Sequence, residues 1–193
     1  AVFIEVGSFN LDVDLGDDLT IENRGAPCIG GSAEIGTIPF PGAMYQWFVF
    51  DPVTGAFVII TGEIGPDLIV NTPGLYRLEV EVSTGCVVSD EIIVEFAPSP
   101  VIGVPDALTL CDDDNDGVGL FTLTDADTQI IAGAEDVVVT YYETFFAANL
   151  GIAATALSSP YQNTSNPQIV FARLEGQEFG CFDTVALELI VFD

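Results

Sequence analysis

The sequence contains no histidine and no lysine, and its only basic residues are Arg24, Arg77 and Arg173. Without histidine, acid–base and nucleophilic catalysis that depends on histidine is excluded, and no Cys/His zinc site can form. The three arginines face 30 acidic residues, which gives a formal net charge of −27. Nucleic acids and anionic membranes would be repelled by this charge. We therefore expect a non-enzymatic protein that attracts cations.

The sequence also lacks a long hydrophobic run, because none approaches the roughly 20 residues that a membrane helix needs. Strongly acidic chains are often disordered, but 49% of these residues are hydrophobic, which predicts a folded core. The chain begins at Ala1 directly in an alternating apolar run. We interpret it as a mature chain or a piece of a longer protein.

Short alternating segments separated by turn residues predict an all-β fold. In the segment Leu75 to Val82, Tyr76 and its alternate neighbours are apolar, and the residues between them are charged. Tyr45 to Phe50 is a second clear strand, followed by a turn at Asp51 to Gly55. Many such strands without a long helical pattern are typical of a β-sandwich.

A proline-rich linker, Ala97 to Pro105, divides the chain into predicted domains 1–97 and 98–193. Beyond it the pattern repeats. The echoed pairs are Leu19 to Ile21 with Leu108 to Leu110, Ile92 to Phe96 with Leu187 to Phe192, and Ile4 to Val6 with Val94 to Phe96. We interpret residues 1–7 as the last strand of a preceding module. Short helices are predicted from Thr124 through Ile131 and from Glu143 to Leu150.

Four cysteines occur in two similar settings, and no Cys-x-x-Cys pair is present. Cys86 and Cys181 each follow a glycine, and Cys28 and Cys111 lie 58 and 70 residues upstream of them (86 − 28 and 181 − 111). We predict the disulfides Cys28–Cys86 and Cys111–Cys181, which would indicate an oxidising, extracellular location. Buried reduced thiols are the alternative.

An acidic loop begins at Cys111, where Asp112, Asp114 and Asp116 alternate before Gly117. This pattern is typical of the opening of calcium loops, because alternate side chains of a tight turn converge and carboxylates supply hard oxygens. The twelfth position is Leu123 instead of glutamate, so the loop is not a complete EF-hand. Asp125, and Asp183 if Cys111 pairs with Cys181, are predicted to complete a Ca²⁺ site. The alternative is a solvated acidic turn.

Three further features bear on structure or function. Trp47 is predicted to pack in the core beside a disulfide, with sugar stacking as the minority interpretation. The pair Tyr141-Tyr142 could place one ring outward towards a ligand, although β propensity alone explains it. Asn163 begins an Asn-Thr-Ser triplet that fits the N-glycosylation pattern.

Several motifs of the second domain carry a resemblance to a known family. These are Leu110 to Gly117, Phe121 to Thr124, Val139 to Tyr142, Asn166 to Glu175 and Gly180 to Phe182. Together they resemble a repeat of the very large cell-surface adhesins of Bacteroidetes that are exported by type IX secretion, some of which serve gliding motility. The first domain resembles the immunoglobulin-like or polycystic-kidney-disease-like repeats beside them. The resemblance implies a surface-exposed tandem array with a binding or spacer role.

We therefore predict two tandem immunoglobulin-like β-sandwiches from an extracellular adhesin or filament, stabilised by calcium. The expected partners are neighbouring repeats and surface glycans or other cell-surface components. One alternative is a carbohydrate-binding module of a secreted protein. Another is a filament subunit in which Val2 to Val6 completes a neighbouring molecule's sheet.

Overall fold

The computed structural model describes residues 12–82, 85–112 and 115–192. The chain divides into two compact units, Ala1–Ala97 and Pro98–Asp193. We call them unit 1 and unit 2. In each unit a four-stranded sheet faces a two-stranded sheet across a hydrophobic core. The predicted all-β, immunoglobulin-like sandwich architecture is confirmed.

The described residues of unit 1 form six strands in two antiparallel sheets. They are β1 (Ala33–Gly36), β2 (Met44–Asp51), β3 (Ala56–Ile59), β4 (Asp67–Val70), β5 (Gly74–Glu81) and β6 (Val87–Val94). The large sheet has the order β3-β2-β5-β6, and β1 pairs with β4 in the small one. In β5, Tyr76, Leu78 and Val80 are buried, as their alternation predicted.

The core of unit 1 is centred on Trp47, whose side chain has no exposed surface. Its indole Nε1 donates a hydrogen bond to the backbone oxygen of Gly65 at 3.0 Å, so the ring's one polar group is satisfied. Ile35 and Leu68 contribute to the same core from the small sheet. The prediction that Trp47 is a core residue is confirmed.

Six strands and two short α-helices are formed by the part of unit 2 that the structure describes. They are β7 (Leu108–Cys111), β8 (Leu120–Phe121), α1 (Asp127–Ile131), β9 (Val137–Tyr142), α2 (Phe145–Leu150), β10 (Tyr161–Gln162), β11 (Gln168–Gly176) and β12 (Phe182–Phe192). The large sheet has the order β7-β12-β11-β9, and β8 pairs with β10. A 3₁₀ helix at Leu123–Ala126 leads into α1.

Both short helices lie where the sequence predicted them. Ile130 of α1 is completely buried in the core of unit 2. The helix α2 is capped at its start by Thr144, whose hydroxyl accepts a hydrogen bond from the Ala147 N–H. It ends at Gly151, which adopts the left-handed conformation that glycine tolerates.

The last strand of each unit carries a parallel partner near its carboxyl end. In unit 1, Leu19 pairs with Val94 of β6. In unit 2, β7 pairs with β12 and Leu108 lies opposite Leu189. These are the segments whose sequences echo each other, so the repeat in the sequence corresponds to a repeat in strand pairing. Leu19 to Ile21 forms only an isolated bridge instead of the predicted strand.

Two other predictions concern segments outside these elements. The proposed donor strand Val2 to Val6 and the interpretation of residues 1–7 as a preceding module's strand lie outside the described residues. Within the described part of the chain, no helix has the length and apolar character needed to span a membrane.

Candidate functional site at the ends of the two large sheets

The four cysteines are in two chemical states. Cys28 and Cys181 are disulfide-bonded, whereas Cys86 and Cys111 are free, exposed thiols. The predicted pairings Cys28–Cys86 and Cys111–Cys181 are therefore wrong, because each would join a bonded cysteine to a free one. The prediction that the protein contains a disulfide is confirmed.

The register of β6 explains why Cys28 and Cys86 do not pair. Cys86 immediately precedes β6, whereas Cys28 bridges Ala97, beyond the end of that strand. Eleven residues separate Cys86 from Ala97 (97 − 86). At about 3.3 Å per residue of extended chain, the two cysteines lie about 35 Å apart. A disulfide needs Cα atoms within about 7 Å of each other.

The same geometry separates Cys111 from Cys181 in unit 2. Cys181 immediately precedes β12, and Cys111 pairs in register with Phe192 at the other end of that strand. The interval is again eleven residues (192 − 181). The two cysteines of unit 2 therefore also lie about 35 Å apart, at opposite ends of one strand.

The cysteines consequently occupy equivalent positions in the two units. We call the end of the large sheet at which the last strand begins the start end, and the end at which it finishes the exit end. Cys86 and Cys181 lie at the start end of their units, and Cys28 and Cys111 lie at the exit end. Each of the two units therefore has one cysteine at each end of its large sheet.

Hydrogen bonding supports the equivalence of the two exit-end cysteines. The N–H of Ile29, which follows Cys28, donates to the backbone oxygen of Ala97 at 2.9 Å. The N–H of Asp112, which follows Cys111, donates to the backbone oxygen of Phe192 at the same distance. Ala97 and Phe192 each lie three residues beyond the paired positions Val94 and Leu189, so the two bonds occupy the same place in the sandwich.

Hydrogen bonds from backbone N–H groups to aspartate side chains hold the described part of the acidic loop. Asp112 Oδ2 accepts from the N–H of Gly117 at 2.7 Å, and Asp116 Oδ1 accepts from the N–H of Val118 at 2.8 Å. Asn115 and Gly117 both have positive φ, at 58° and 73°, which closes the turn. The turn is therefore supported by its own side chains.

Asn163 fastens this loop to the rest of unit 2, a role that the sequence analysis missed. Its Nδ2 donates to the backbone oxygens of Gly117 and Ser165, and its Oδ1 accepts from the N–H of Gly119. The side chain is only 3% exposed. Asn163 is thus a structural residue in the folded unit, and its fully engaged amide does not offer the accessible nitrogen that glycosylation requires.

Of the predicted calcium ligands, Asp183 does not lie beside the acidic loop. Asp183 lies on β12 nine residues before Phe192, so it is about 30 Å from Asp112 along the sheet. Asp183 is therefore not part of this site, because its predicted proximity depended on the Cys111–Cys181 bond. Asp114 lies outside the described residues. Among residues 12–82, 85–112 and 115–192, no three Asp, Glu, Cys or His side chains are grouped as metal ligands.

The carboxylates of Asp125 and Asp127 influence the ionisation of Tyr141. The Tyr141 hydroxyl donates to Asp127 Oδ1 at 2.6 Å. Burial, followed by this hydrogen bond and the charges of Asp127 and Asp125, raises the pKa of Tyr141 above its ordinary value. The expectation that one ring of Tyr141-Tyr142 could point outward is wrong, because both side chains are buried.

Arg173 makes several polar contacts in unit 2. Its guanidinium donates to the backbone oxygens of Ala148 and Asn149 at the end of α2, and to Glu175. It also lies 3.3 Å from the centre of the Phe182 ring. Arg173 lies on β11, and its contacts with α2 depend on long-range packing that the sequence analysis did not predict.

The comparison with protein families identifies a match in unit 2. Residues 107–193 match the family model described as the Flavobacterium inter-domain disulphide bond domain. No curated protein matches the chain. This match agrees with the predicted resemblance to Bacteroidetes repeats, although it does not test adhesion or the secretion route.

Solved structures of tandem immunoglobulin domains are also similar to the chain. The N-terminal four Ig domains of Dscam1 isoform 1.9 share 14% identity, with 84% of this chain and 41% of that chain covered and a TM-score of 0.31. The insect immune protein hemolin shares 12% identity, with 97% and 49% covered and a TM-score of 0.42. The Ig1-2 module of the Drosophila receptor protein tyrosine phosphatase DLAR shares 11% identity, with 87% and 94% covered and a TM-score of 0.28.

The chain thus spans less than half the length of the first two of these structures. The family model covers 87 of its 193 residues (193 − 107 + 1), all of them in unit 2. By sequence, the second unit of this chain is similar to a Flavobacterium domain named for a disulfide between domains.

Proposed function

We propose that the chain is a pair of successive modules from a secreted, surface-exposed tandem array, and that a Cys28–Cys181 disulfide joins the modules. The observation that carries the proposal is the state of the cysteines: Cys28 and Cys181 are oxidised, and the other two are free. One oxidised cysteine belongs to each unit, so each is the other's available partner in the chain. The description of the matching family supports a bond of this kind.

A disulfide, in addition to the peptide chain that links the two modules, would suit modules that carry the same sign of charge. Unit 1 has 2 basic and 15 acidic residues, a net charge of −13, and unit 2 has 1 and 15, a net charge of −14. Like-charged modules repel each other, and salt only partly screens the repulsion. A disulfide would keep successive modules adjacent without an attractive surface between them.

The bond would also limit how far the array stretches under tension. It would exclude the 153 residues from Cys28 to Cys181 (181 − 28) from extension until it is reduced. At about 3.4 Å per residue, this is about 520 Å of chain. A surface array exposed to mechanical load would therefore retain its length after a module unfolds. This is a structural role, in keeping with an adhesin or filament segment exported by type IX secretion.

The pairing can be tested with trypsin, because the three arginines divide the chain into fragments 1–24, 25–77, 78–173 and 174–193. Free thiols are first alkylated, and the denatured, unreduced chain is then digested. We expect fragment 25–77 linked to fragment 174–193, and both alkylated thiols in fragment 78–173. A link between 25–77 and 78–173, or four alkylated cysteines, would contradict the proposal.

Single-molecule stretching from the two chain ends tests the mechanical role. The unreduced chain should reach a final extension about 520 Å shorter than the Cys28→Ser variant. The matched control is Cys86→Ser, which removes an unbonded thiol and should stretch like the original chain. Equal extensions for the original chain and Cys28→Ser would contradict the role of the bond.

A further inference from the structure

Cys86, a free thiol, occupies the position that is oxidised in the other unit. It is the last residue before β6, as Cys181 is the last residue before β12, and each follows a glycine. Each also lies eight residues before the position that pairs with the parallel segment (94 − 86 and 189 − 181). Cys86 is exposed and free, whereas Cys181 is bonded.

At the exit ends of the sheets the free thiol belongs to unit 2 instead, and it is Cys111. It lies opposite Phe192 at the exit end of unit 2, as Cys28 lies opposite Ala97 at the exit end of unit 1. Here the cysteine of unit 1 is bonded and that of unit 2 is exposed and free. The proposed Cys28–Cys181 pair would therefore join an exit-end cysteine of one unit to a start-end cysteine of the unit that follows it.

We infer that Cys86 and Cys111 are also disulfide sites, each paired with a neighbouring unit of the same array. The partner of Cys86 is the exit-end cysteine of a preceding unit, and the partner of Cys111 is the start-end cysteine of a following unit. The inference rests on the proposed Cys28–Cys181 bond and extends it to the whole array. At every junction, the exit-end cysteine of one unit forms a disulfide with the start-end cysteine of the next unit. The equivalence of each free thiol to a bonded one is the observation that supports it.

The chemistry requires a disulfide oxidant, such as oxidised glutathione or the disulfide of an oxidoreductase. The Cys111 thiolate attacks the oxidant, which forms a mixed disulfide and releases one thiol. The thiolate of the neighbouring start-end cysteine then attacks Cys111 Sγ and releases the second thiol. Two protein thiols lose two electrons and two protons, and the oxidant disulfide is reduced to two thiols.

The test uses two copies of the chain joined as a tandem. Asp193 of the first copy is followed by Asn10 of the second, so that Leu189 precedes the next Leu19 by 14 residues (4 + 10). The same interval separates Val94 from Leu108 (108 − 94). The first copy carries Cys86→Ser and the second carries Cys111→Ser, which leaves one thiol of the proposed pair in each copy.

After oxidation with a glutathione buffer, we expect the tandem to remain a monomer in which neither remaining thiol reacts with alkylating reagent. Tryptic digestion should then release fragment 78–173 of one copy linked to fragment 78–173 of the other. The matched control adds Cys111→Ser and Asp112→Cys to the first copy, which moves the thiol by one residue and turns it away from the original direction. This control should retain two reactive thiols.

The result separates this inference from the proposed function because the same digest reports both. In the tandem, fragment 174–193 of the first copy continues through residues 10–24 of the second, because no arginine lies between them. If this fragment and fragment 174–193 of the second copy are each linked to a fragment 25–77 but the Cys86 and Cys111 thiols are alkylated, the array rule is overturned and the Cys28–Cys181 bond stands. Intermolecular Cys86–Cys86 or Cys111–Cys111 bonds would also overturn the rule. If fragments 25–77 and 174–193 are not linked, both proposals fail.

Discussion

The two units share a plan for the large sheet and differ in what covers it. In each, a parallel segment pairs with the last strand near its carboxyl end, and a cysteine lies at either end of that strand. Unit 1 closes its core with the paired strands β1 and β4. Unit 2 instead uses the two-residue strands β8 and β10 together with α1. The large sheet and its cysteine positions are therefore the common element, and the opposite layer can vary around it.

The largest expected effect tests whether the two cores are independent. Trp47→Ala should lower the stability of unit 1 by about 3–5 kcal/mol, because it removes a fully buried ring and leaves a cavity. Calorimetry with the disulfide reduced should show one transition moving and the other unchanged. Phe121→Ala is the matched change in unit 2, and it should shift the other transition without moving the tryptophan fluorescence transition. If either variant shifts both transitions equally, the units do not unfold separately.

The second effect compares the arginines of the two large sheets. Arg173→Met should destabilise unit 2 by about 2–3 kcal/mol, because the backbone oxygens of Ala148 and Asn149 lose a charged donor. Arg77 forms a more exposed pair with Glu91, so Arg77→Met should cost unit 1 less than about 1 kcal/mol. Denaturant unfolding measures both changes. If both substitutions lowered the stability of their units equally, the greater burial of Arg173 would not explain its contribution.

The third effect concerns a buried tyrosine in each unit. Tyr141→Phe removes the hydrogen bond to Asp127 and should cost about 1–2 kcal/mol near neutral pH. Because the pKa of Tyr141 is raised in the folded unit, its contribution is complete below the pKa of about 10 of an unfolded tyrosine. It declines as the pH rises further, because the unfolded chain loses the phenolic proton first.

Thermal unfolding of the reduced, alkylated protein at increasing pH measures this dependence. Unit 2 should lose stability above pH about 10, and Tyr141→Phe should reduce that loss. Tyr76→Phe in unit 1 is the control, since it removes the hydroxyl that donates to the Thr72 backbone oxygen without altering Tyr141. An unchanged alkaline slope in Tyr141→Phe would contradict the assignment.

The smallest effect tests the prediction, made from the sequence, that the acidic loop of unit 2 binds calcium. At a calcium concentration equal to Kd, binding to the folded state alone would stabilise unit 2 by about 0.4 kcal/mol. Sodium chloride at the same ionic strength is the control for general screening. Asp114→Ala should abolish the response, whereas Asp183→Ala at the far end of β12 should keep it. A response that survives Asp114→Ala would identify the effect as nonspecific.

Much of the fold was predictable because it depends on local patterns. Alternation in Leu75 to Val82 predicted a strand with a buried face, and that face is buried as Tyr76, Leu78 and Val80 in β5. The helix through Ile131 was found from polar residues before an apolar pair. The contacts of Arg173 with α2 could not be found in this way, because they join residues about 25 positions apart.

The acidic loop shows where local patterns stop being sufficient. The spacing of Asp112 and Asp116 predicted a turn, and both carboxylates do hold one through backbone N–H groups. Assigning Asp183 to the same site required a long-range pairing that the sequence could not establish. The support that does come from elsewhere in the chain is Asn163, whose triplet suggested surface modification.

The sequence by itself determined the all-β architecture, the repeated pattern and the acidic surface, because alternation, turn chemistry and charge are properties of neighbouring residues. The tertiary structure alone decided the chemistry of the cysteines. A sequence interval gives the length of chain between two thiols, but the register of strand pairing decides at which end of the sheet each one lies. In both units an interval of domain size leads to opposite ends of one strand, about 35 Å apart. That separation leaves each cysteine in a position to bond only with a cysteine outside its own unit.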